Sequence, residues 1–456
     1  MKPIKIITLC CFALILVLPM LFFNFEENVA SEIDNRMLAP NPLKAEGDLT
    51  DNVDNYIKDR IGFRNEMILG YTVLNDRLFG KMVHPSYSYG KDGYVFGAGT
   101  YVYEPYTAYH EQFADAVKAM QDYCEARGVP FLFVLNPAKP AVLEQYLPDG
   151  KAYDRKWVDQ FLAALDARGV RYLDNTVTLK EHTEAGEAVF NQKYDANHWN
   201  ALGAYYGVDA VLRELSVDVD GIYIIPKRDL TVTTKVEKSL MVSKFPIHEE
   251  VPVITLDQQP VWNGEGYWPD LSLHSSYNAF FSYTNPRPEA TAKGLVFQGS
   301  YVNAYGYPFF AAGFGEYVGI HDYQNVFDLS YYFNIFQPDC VVFEVAEYTF
   351  NETYFSTERM KNMVLNPVLE DVQAKQAEKT LRADAVTVEE GQRLAILRWN
   401  TEEIGEYGWL VLDKPYDLQK TENGWQVTMD LEDYKAYAGD MKFCLLSGDT
   451  LTNFIP

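Results

Sequence analysis

An uncharged, largely apolar run extends from Ile6 to Phe23, with only Thr8 and Pro19 out of character. It is just long enough to cross a bilayer as a helix. Beyond it the apolar positions take up a helical period. Between Asp51 and Lys81, the residues Val53, Ile57, Ile61, Ile68, Leu69, Val73 and Leu78 recur at near-helical intervals. Tyr109 to Arg127 and residues 154–168 repeat the signal, and these two segments close on Gly128 and Gly169. Each closing glycine leads into an apolar stretch, Val129 to Leu135 and then Val170 to Asp174. The first is apolar throughout, as in a strand buried on both faces. This helix–glycine–strand alternation predicts α/β units around a parallel sheet.

Residues 202–215 read as one more helix, and then the rhythm breaks. From 216 to 292 come short strand-like pieces with Pro, Gly and Thr, such as Gly221 to Ile225 and Leu230 to Thr234. They predict a β-rich insertion near or over the active-site face. Leu295 to Phe297 resumes the core sheet and ends at Gly299 and Ser300. A helix around 303–314, a strand at Tyr317 to Ile320 and a last core strand at Cys340 to Glu344 follow. After about residue 380 the pattern alternates between turns, which predicts a small all-β domain. The expected organisation is therefore a tip at 1–5, a membrane segment at 6–23 and a proline-marked linker at 24–50. An α/β domain at 51–215 and 293–379 follows, interrupted by the insertion at 216–292 and completed by the β-domain at 380–456.

Charge refines the picture of the N-terminus. Lys2 and Lys5 precede the apolar run, and Glu26, Glu27, Glu32 and Asp34 follow it. The positive-inside rule then leaves residues 1–5 cytoplasmic and the bulk of the chain outside the cell membrane, held by a single span. A cleaved signal peptide is the competing reading, with Asn28-Val29-Ala30 a partial small-x-small site. Cys10 and Cys11 lack the residues that mark a lipidation site. Only Cys124, Cys340 and Cys444 remain beyond the run, which is no disulfide framework. The formal charge of −25 excludes nucleic acid, whose phosphates need a concentrated basic surface, and argues against lying flat on anionic lipid. Thirty-three Tyr and 27 Phe suit either an aromatic core or a sugar-binding cleft. Trp409 and Trp425 fall under the same pair of readings, with the β-sandwich core favoured.

The candidate chemistry lies in Asp195-Ala196-Asn197-His198-Trp199-Asn200, just ahead of the helical run from Ala201. Asp195 and His198 stand one turn apart, so the carboxylate can reach Nδ1–H while Nε2 faces a nucleophile. Taken singly, each is equally a capping or structural residue. Ser300 supplies the third group, at the carboxyl end of a buried strand where α/β proteins place ligands; alone it reads as a turn or cap. The Ser300 amide is the oxyanion donor the chain offers, with Asn303 and Asn325 as helpers. Glu344 and Glu347, at the end of the last core strand, suit a glycosidase acid pair less well than a salt-bridged or solvated strand end. His321-Asp322 has no spaced partners for a metal. Neither a cofactor nor a metal is expected.

Five pieces in order resemble the SGNH-hydrolase-like proteins typified by the alginate O-acetyltransferases AlgJ and AlgX, and the related DHHW proteins. Asn35-Arg36-x-Leu38-Ala39 resembles their post-membrane segment, and Asp59-Arg60-Ile61-Gly62-Phe63-Arg64 their Asp-Arg-Phe-Gly-Phe-Arg helix. Gly90 to Phe96 resembles their Gly-Lys-Asp-Gly strand, and Pro137-Ala138-Lys139 with Leu147-Pro148 their Pro-x-Lys stretch. Asp195 to Gly203 resembles their Asp/His-Trp motif. The resemblance implies an SGNH-hydrolase-like, flavodoxin-like parallel sheet. It also implies a triad of Asp195 as orienter, His198 as base and Ser300 as nucleophile, moving acetyl groups onto polysaccharide hydroxyls. A polysaccharide acceptor and a membrane-bound acyl-donor protein are the implied partners. Two positions depart from the pattern. The acetyltransferases carry Asp-x-His where this chain has Asp-x-x-His, and Gly-Asp-Ser where it has Gln298-Gly299-Ser300. A carbohydrate esterase of the same fold, or a catalytically silent glycan-binding or scaffolding subunit of an export assembly, remain the alternative functions.

Overall fold

The computed structural model describes all residues except 1, 2, 34, 35, 85, 98, 100–104, 265, 274–279, 322 and 456. Lys2, Asp34, Asn35 and Asp322, singled out above, lie outside the described residues. In chain order the first helices are α1 (Pro3–Leu21), α2 (Leu49–Arg60) and α3 (Arg64–Phe79). A small antiparallel ribbon of β1 (Tyr87–Tyr89) and β2 (Val95–Gly97) follows. Next come α4 (Ala108–Glu125), β3 (Phe131–Asn136), α5 (Lys139–Val142), α6 (Lys156–Arg168), β4 (Tyr172–Asp174), α7 (Asn175–Glu184) and α8 (Ala201–Leu215). A hairpin of β5 (Leu230–Ser239) and β6 (Pro246–Leu256) precedes β7 (Val261–Trp262), β8 (Phe280–Thr284) and β9 (Lys293–Phe297). The body closes with α9 (Tyr307–Gly313), β10 (Glu316–Ile320), α10 (Leu329–Phe336) and β11 (Cys340–Ala346).

The stretch from Asp51 to Lys81 forms two helices rather than one. Ile61 leaves the helical region, Phe63 takes a left-handed φ of 60°, and α3 starts afresh at Arg64. Gly62 sits between them because a Cβ there would lie 2.6 Å from Phe22 Cβ. The apolar period is continuous across this break, so period alone cannot report it.

The central sheet has seven strands in the order β4-β3-β11-β9-β10-β8-β7. The five strands from β4 to β10 are parallel, and β8 joins the far side antiparallel. Two of the strand-like pieces between 216 and 292, β7 and β8, thus extend the core sheet, and the hairpin stands apart from it. The continuous apolarity of β3, β9 and β11 follows from burial on both faces. Phe131, Phe133, Leu295, Phe297 and Phe343 face one hydrophobic cluster with Phe113 of α4 and Phe161 of α6. Leu132, Val134, Val296 and Val342 face the opposite cluster, with Trp199 and with Val211 and Leu212 of α8. Each such side chain withdraws apolar surface worth about 1.5–3 kcal/mol of transfer free energy.

The C-terminal β-domain begins at Lys375–Thr380, slightly ahead of the expected boundary, and packs a five-stranded sheet on a four-stranded one. Trp399, Trp425, Tyr416 and Phe443 fill the space between them, while Trp409 is fully buried in an adjoining cluster. Asp417 ties this domain to the body through the Tyr123 hydroxyl at 2.8 Å and the Arg127 guanidinium at 3.2 Å. α1 has the length and apolarity to cross a membrane, and none of its residues is buried. Cys124, Cys340 and Cys444 are buried free thiols.

Candidate active site

Parallel β3, β9 and β11 are neighbours, so their carboxyl ends open on one edge of the sheet. β9 delivers Gly299 and Ser300 there, β11 delivers Glu344 and Tyr348, and β3 delivers Asn136. The loop from Phe190 to Asn200 brings Asp195 and His198 to the same edge. His198 Nε2 lies 2.9 Å from Ser300 Oγ, and His198 Nδ1 lies 2.9 Å from Asp195 Oδ2. Ser300 lies about a hundred residues beyond the Asp195–His198 pair in the chain, and the fold brings all three into one hydrogen-bonded line.

The loop is held by many backbone bonds. Asp195 Oδ1 accepts from the N–H groups of Asn197 and His198 at 3.0 Å each, so the carboxylate turns the chain with one oxygen and meets the imidazole with the other. Asn200 caps α8 through the N–H groups of Leu202 and Gly203. Trp199 is buried and donates Nε1–H to the Tyr301 carbonyl at 2.9 Å, which fixes the loop to the residue after Ser300. Gly207 of α8 allows this, since a Cβ there would stand 2.3 Å from the indole.

Two ionisable side chains clamp the same loop. Glu249 of β6 accepts from the N–H groups of Gln192, Lys193 and Tyr194. The hairpin therefore supports the site loop from outside the sheet. Lys139, fully buried, donates to the carbonyls of Val95 at 2.8 Å, Asp195 at 3.2 Å and Gln192 at 3.3 Å. Burial lowers its ammonium to about 7, against the opposing pull of Asp195 and Glu249.

Asp195 and His198 shift each other's titration at the centre of the site. Burial opposes the His198 imidazolium, but Asp195 and Glu344 together raise the group above its ordinary value. Burial likewise works against the Asp195 carboxylate, yet His198 and two backbone N–H groups hold it below the usual range. The imidazole keeps 17% of its side-chain surface open, so an incoming group can reach it.

The departure at Gln298 has a structural account. Its Oε1 accepts from the Tyr317 hydroxyl and its Nε2 donates to Asn303 Oδ1, so the carboxamide braces β9 against β10 and the turn after Ser300. His321 Nδ1 sits 2.7 Å from the Gln298 carbonyl oxygen. The carboxylate beside Ser300 comes instead from β11. Glu344 Oε2 accepts the Gly299 N–H at 2.5 Å, and Oε1 accepts from Asn136 at 2.6 Å. Burial pushes Glu344 up to about 7. Glu347 is also buried, paired with Arg155 at 2.7 Å and bonded to the Tyr153 hydroxyl at 2.5 Å. These two carboxylates have separate structural partners rather than a shared cleft.

Tyr348 was not singled out from sequence. Its hydroxyl lies 2.7 Å from Ser300 Oγ and 3.2 Å from His198 Nε2. The Tyr323 hydroxyl is in hydrogen-bond reach of Ser300 through both side chain and backbone. Nothing in the motif pattern marks these tyrosines among 33 in the chain. Only the convergence of strand ends selects them. Of the expected oxyanion helpers, Asn303 follows Ser300 closely, and its N–H donates to the Gly299 carbonyl at 3.1 Å. Asn325 lies under the next turn, where its amide donates to the His321 carbonyl at 3.0 Å and its oxygen accepts from the Tyr332 hydroxyl at 2.6 Å.

A hydroxyl, an imidazole and a carboxylate so arranged can transfer a proton as the hydroxyl attacks a carbonyl. Residues 88–243 match the family model described as "SGNH hydrolase-like domain, acetyltransferase AlgX". That span includes Asp195 and His198, stops ahead of Ser300, and is an SGNH-hydrolase-like domain. No curated protein matches the chain. Among solved structures, the O-acetyltransferase domain of Pseudomonas putida AlgJ aligns at 17% identity and a TM-score of 0.43, over 61% of this chain and 99% of that one. Bacillus cereus PatB1 aligns at 17% identity and a TM-score of 0.43, over 57% of this chain and 95% of its own. Pseudomonas aeruginosa AlgX aligns at 14% identity and a TM-score of 0.39, over 76% and 86%.

Proposed function

We propose that this protein is a membrane-anchored, extracytoplasmic O-acetyltransferase that acts on a cell-surface or exported polysaccharide, with Ser300, His198 and Asp195 as its triad. The observation that carries this reading is the unbroken line from Asp195 through His198 to Ser300 Oγ. The family match supplies acetyl as the acyl group. In the first half-reaction Ser300 Oγ attacks the acyl carbonyl and its proton passes to His198 Nε2. The tetrahedral intermediate collapses, the leaving group takes that proton, and an acyl-serine remains. A sugar hydroxyl then attacks the acyl-serine, losing its proton to Nε2. Collapse returns the proton to Ser300 Oγ and releases the acetylated sugar. Asp195 keeps Nδ1–H in place and stabilises the imidazolium in both halves. The Ser300 N–H is the oxyanion donor in this reading, with Asn303 as helper. A membrane-bound acyl donor would load the serine.

The same chain of groups serves hydrolysis when water resolves the acyl-serine, so an esterase uses identical residues. Full-length protein in detergent, given an acetyl ester with and without an oligosaccharide acceptor, separates the two. Transfer exceeding hydrolysis supports the transferase. Equal rates for wild type and Ser300→Ala in both reactions would remove Ser300 as nucleophile, and rates no higher than without protein would leave the scaffolding role.

A further inference from the structure

α3 is apolar on two sides, and one of them is uncovered. Its inner side sets Leu69 and Val73 against a cluster of Tyr87, Val95, Leu240 and Phe245. On its outer side Met67, Tyr71, Leu74 and Leu78 follow at steps of four, three and four, which places them on one face. They are 48%, 61%, 54% and 63% exposed. α2 repeats the pattern with Leu49, Val53 and Ile57, exposed by 54%, 39% and 42%. Exposed apolar stripes of this length mark a surface that meets something else.

The turn between these helices is attached to the end of α1. The Gly62 N–H donates to the Pro19 carbonyl at 2.9 Å, and the Asn24 N–H donates to the Arg60 carbonyl at 2.8 Å. The Phe22 and Phe63 rings meet edge to face at 5.1 Å. Both uncovered faces therefore start where the apolar α1 stops.

We propose that the outer faces of α2 and α3 lie on the phospholipid surface beside the exit of α1 and fix the orientation of the α/β body over the bilayer. The proposal rests on reading α1 as an uncleaved membrane anchor. Continuity with α1 favours lipid over a protein partner. Phe22, Phe25 and Phe63 are exposed at the junction, the level at which aromatic side chains gather in a membrane interface. The net charge of −25 gives no attraction to anionic headgroups, so burial of the apolar stripes in zwitterionic lipid supplies the binding. With α1 inserted, the two helices are already held at the surface, and a modest apolar face suffices.

The test uses the full chain carrying Cys10→Ser and Cys11→Ser, because the other cysteines are buried. Leu74→Cys, or Thr387→Cys on the exposed face of the β-domain as control, takes an environment-sensitive fluorophore. The protein is reconstituted in phosphatidylcholine vesicles, with and without doxyl-labelled phosphatidylcholine. Flotation with the vesicles reports on α1 separately from the label. We expect flotation, and quenching at residue 74 several-fold stronger than at 387. Flotation with equal quenching at both positions would overturn the proposal and leave the anchor intact. A label shielded from iodide yet unquenched by lipid would overturn it in favour of a protein or a second copy. Failure to float would remove the anchor reading, and the proposal with it.

Discussion

Tyr348 places its hydroxyl 2.7 Å from Ser300 Oγ, against the same face on which His198 Nε2 approaches. The serine hydroxyl thus has two neighbours that can share its proton. The tyrosine orders the serine rotamer, and during attack it can return a hydrogen bond to the developing charge. Tyr348→Phe keeps the ring and removes this bond. It is expected to lower kcat/KM for an acetyl ester roughly fivefold, in line with about 1 kcal/mol for one hydrogen bond, with an unchanged melting temperature. A steady-state assay beside a thermal melt checks both.

Asp195→Asn retains a side-chain oxygen for the Asn197 and His198 N–H groups but presents an amide to the imidazole. The wrong tautomer of His198 then faces Ser300. The expected loss in kcat is on the order of 10³–10⁴. The pKa of His198 should fall, because Asp195 is the chief influence raising it. NMR titration of the His198 ring measures that fall directly.

The pH profile follows from the same shift. His198 must be neutral to accept the serine proton, and Asp195 raises its pKa above 6.5. Activity should therefore rise with pH, with a midpoint above that value. Glu344 adds to the raising influence, so Glu344→Gln should move the midpoint to lower pH. A midpoint that stays put in the variant would detach Glu344 from the base.

Glu344 also predicts a trend in stability. Its folded pKa of about 7 lies above the ordinary 4.5 of a glutamate. A raised carboxyl stabilises the fold fully below about 4.5 and loses that contribution as pH rises through about 7. Urea midpoints measured from pH 5 to pH 8 should fall in the wild type. Glu344→Gln should remove part of that fall.

The parallel sheet was legible because β3, β9 and β11 are buried on both faces and so carry unbroken apolar runs. Asp195 and His198 were legible because one residue type at a fixed local spacing performs both the turn and the chemistry. Ser300 could be placed at a strand end by the same reasoning. Other features depend on three-dimensional convergence. Tyr348 and Glu344 come to Ser300 from a neighbouring strand far along the chain, and no local pattern encodes that meeting. The break at Gly62 escaped the apolar period because it is set by Phe22 of a different segment. The strands β7 and β8 read as part of an insertion because short, turn-punctuated pieces look alike at a sheet edge and in a hairpin.

The clamp on the site loop is a separate target. Glu249→Ala leaves three backbone N–H groups just ahead of Asp195 without their carboxylate. It should lower kcat several-fold with little change in KM for a small ester, and increase amide hydrogen exchange at Gln192 to Tyr194. Unchanged exchange there would detach the hairpin from the site.

The central claim is that Ser300 carries the acyl group. Full-length protein mixed with an activated acetyl ester, quenched in acid within one turnover and digested, should yield the peptide containing Ser300 with one acetyl group in wild type. Ser300→Ala should yield none. In His198→Ala the acetylated fraction should fall by orders of magnitude. An acetyl group found on another residue, or equal labelling in wild type and Ser300→Ala, would contradict the account.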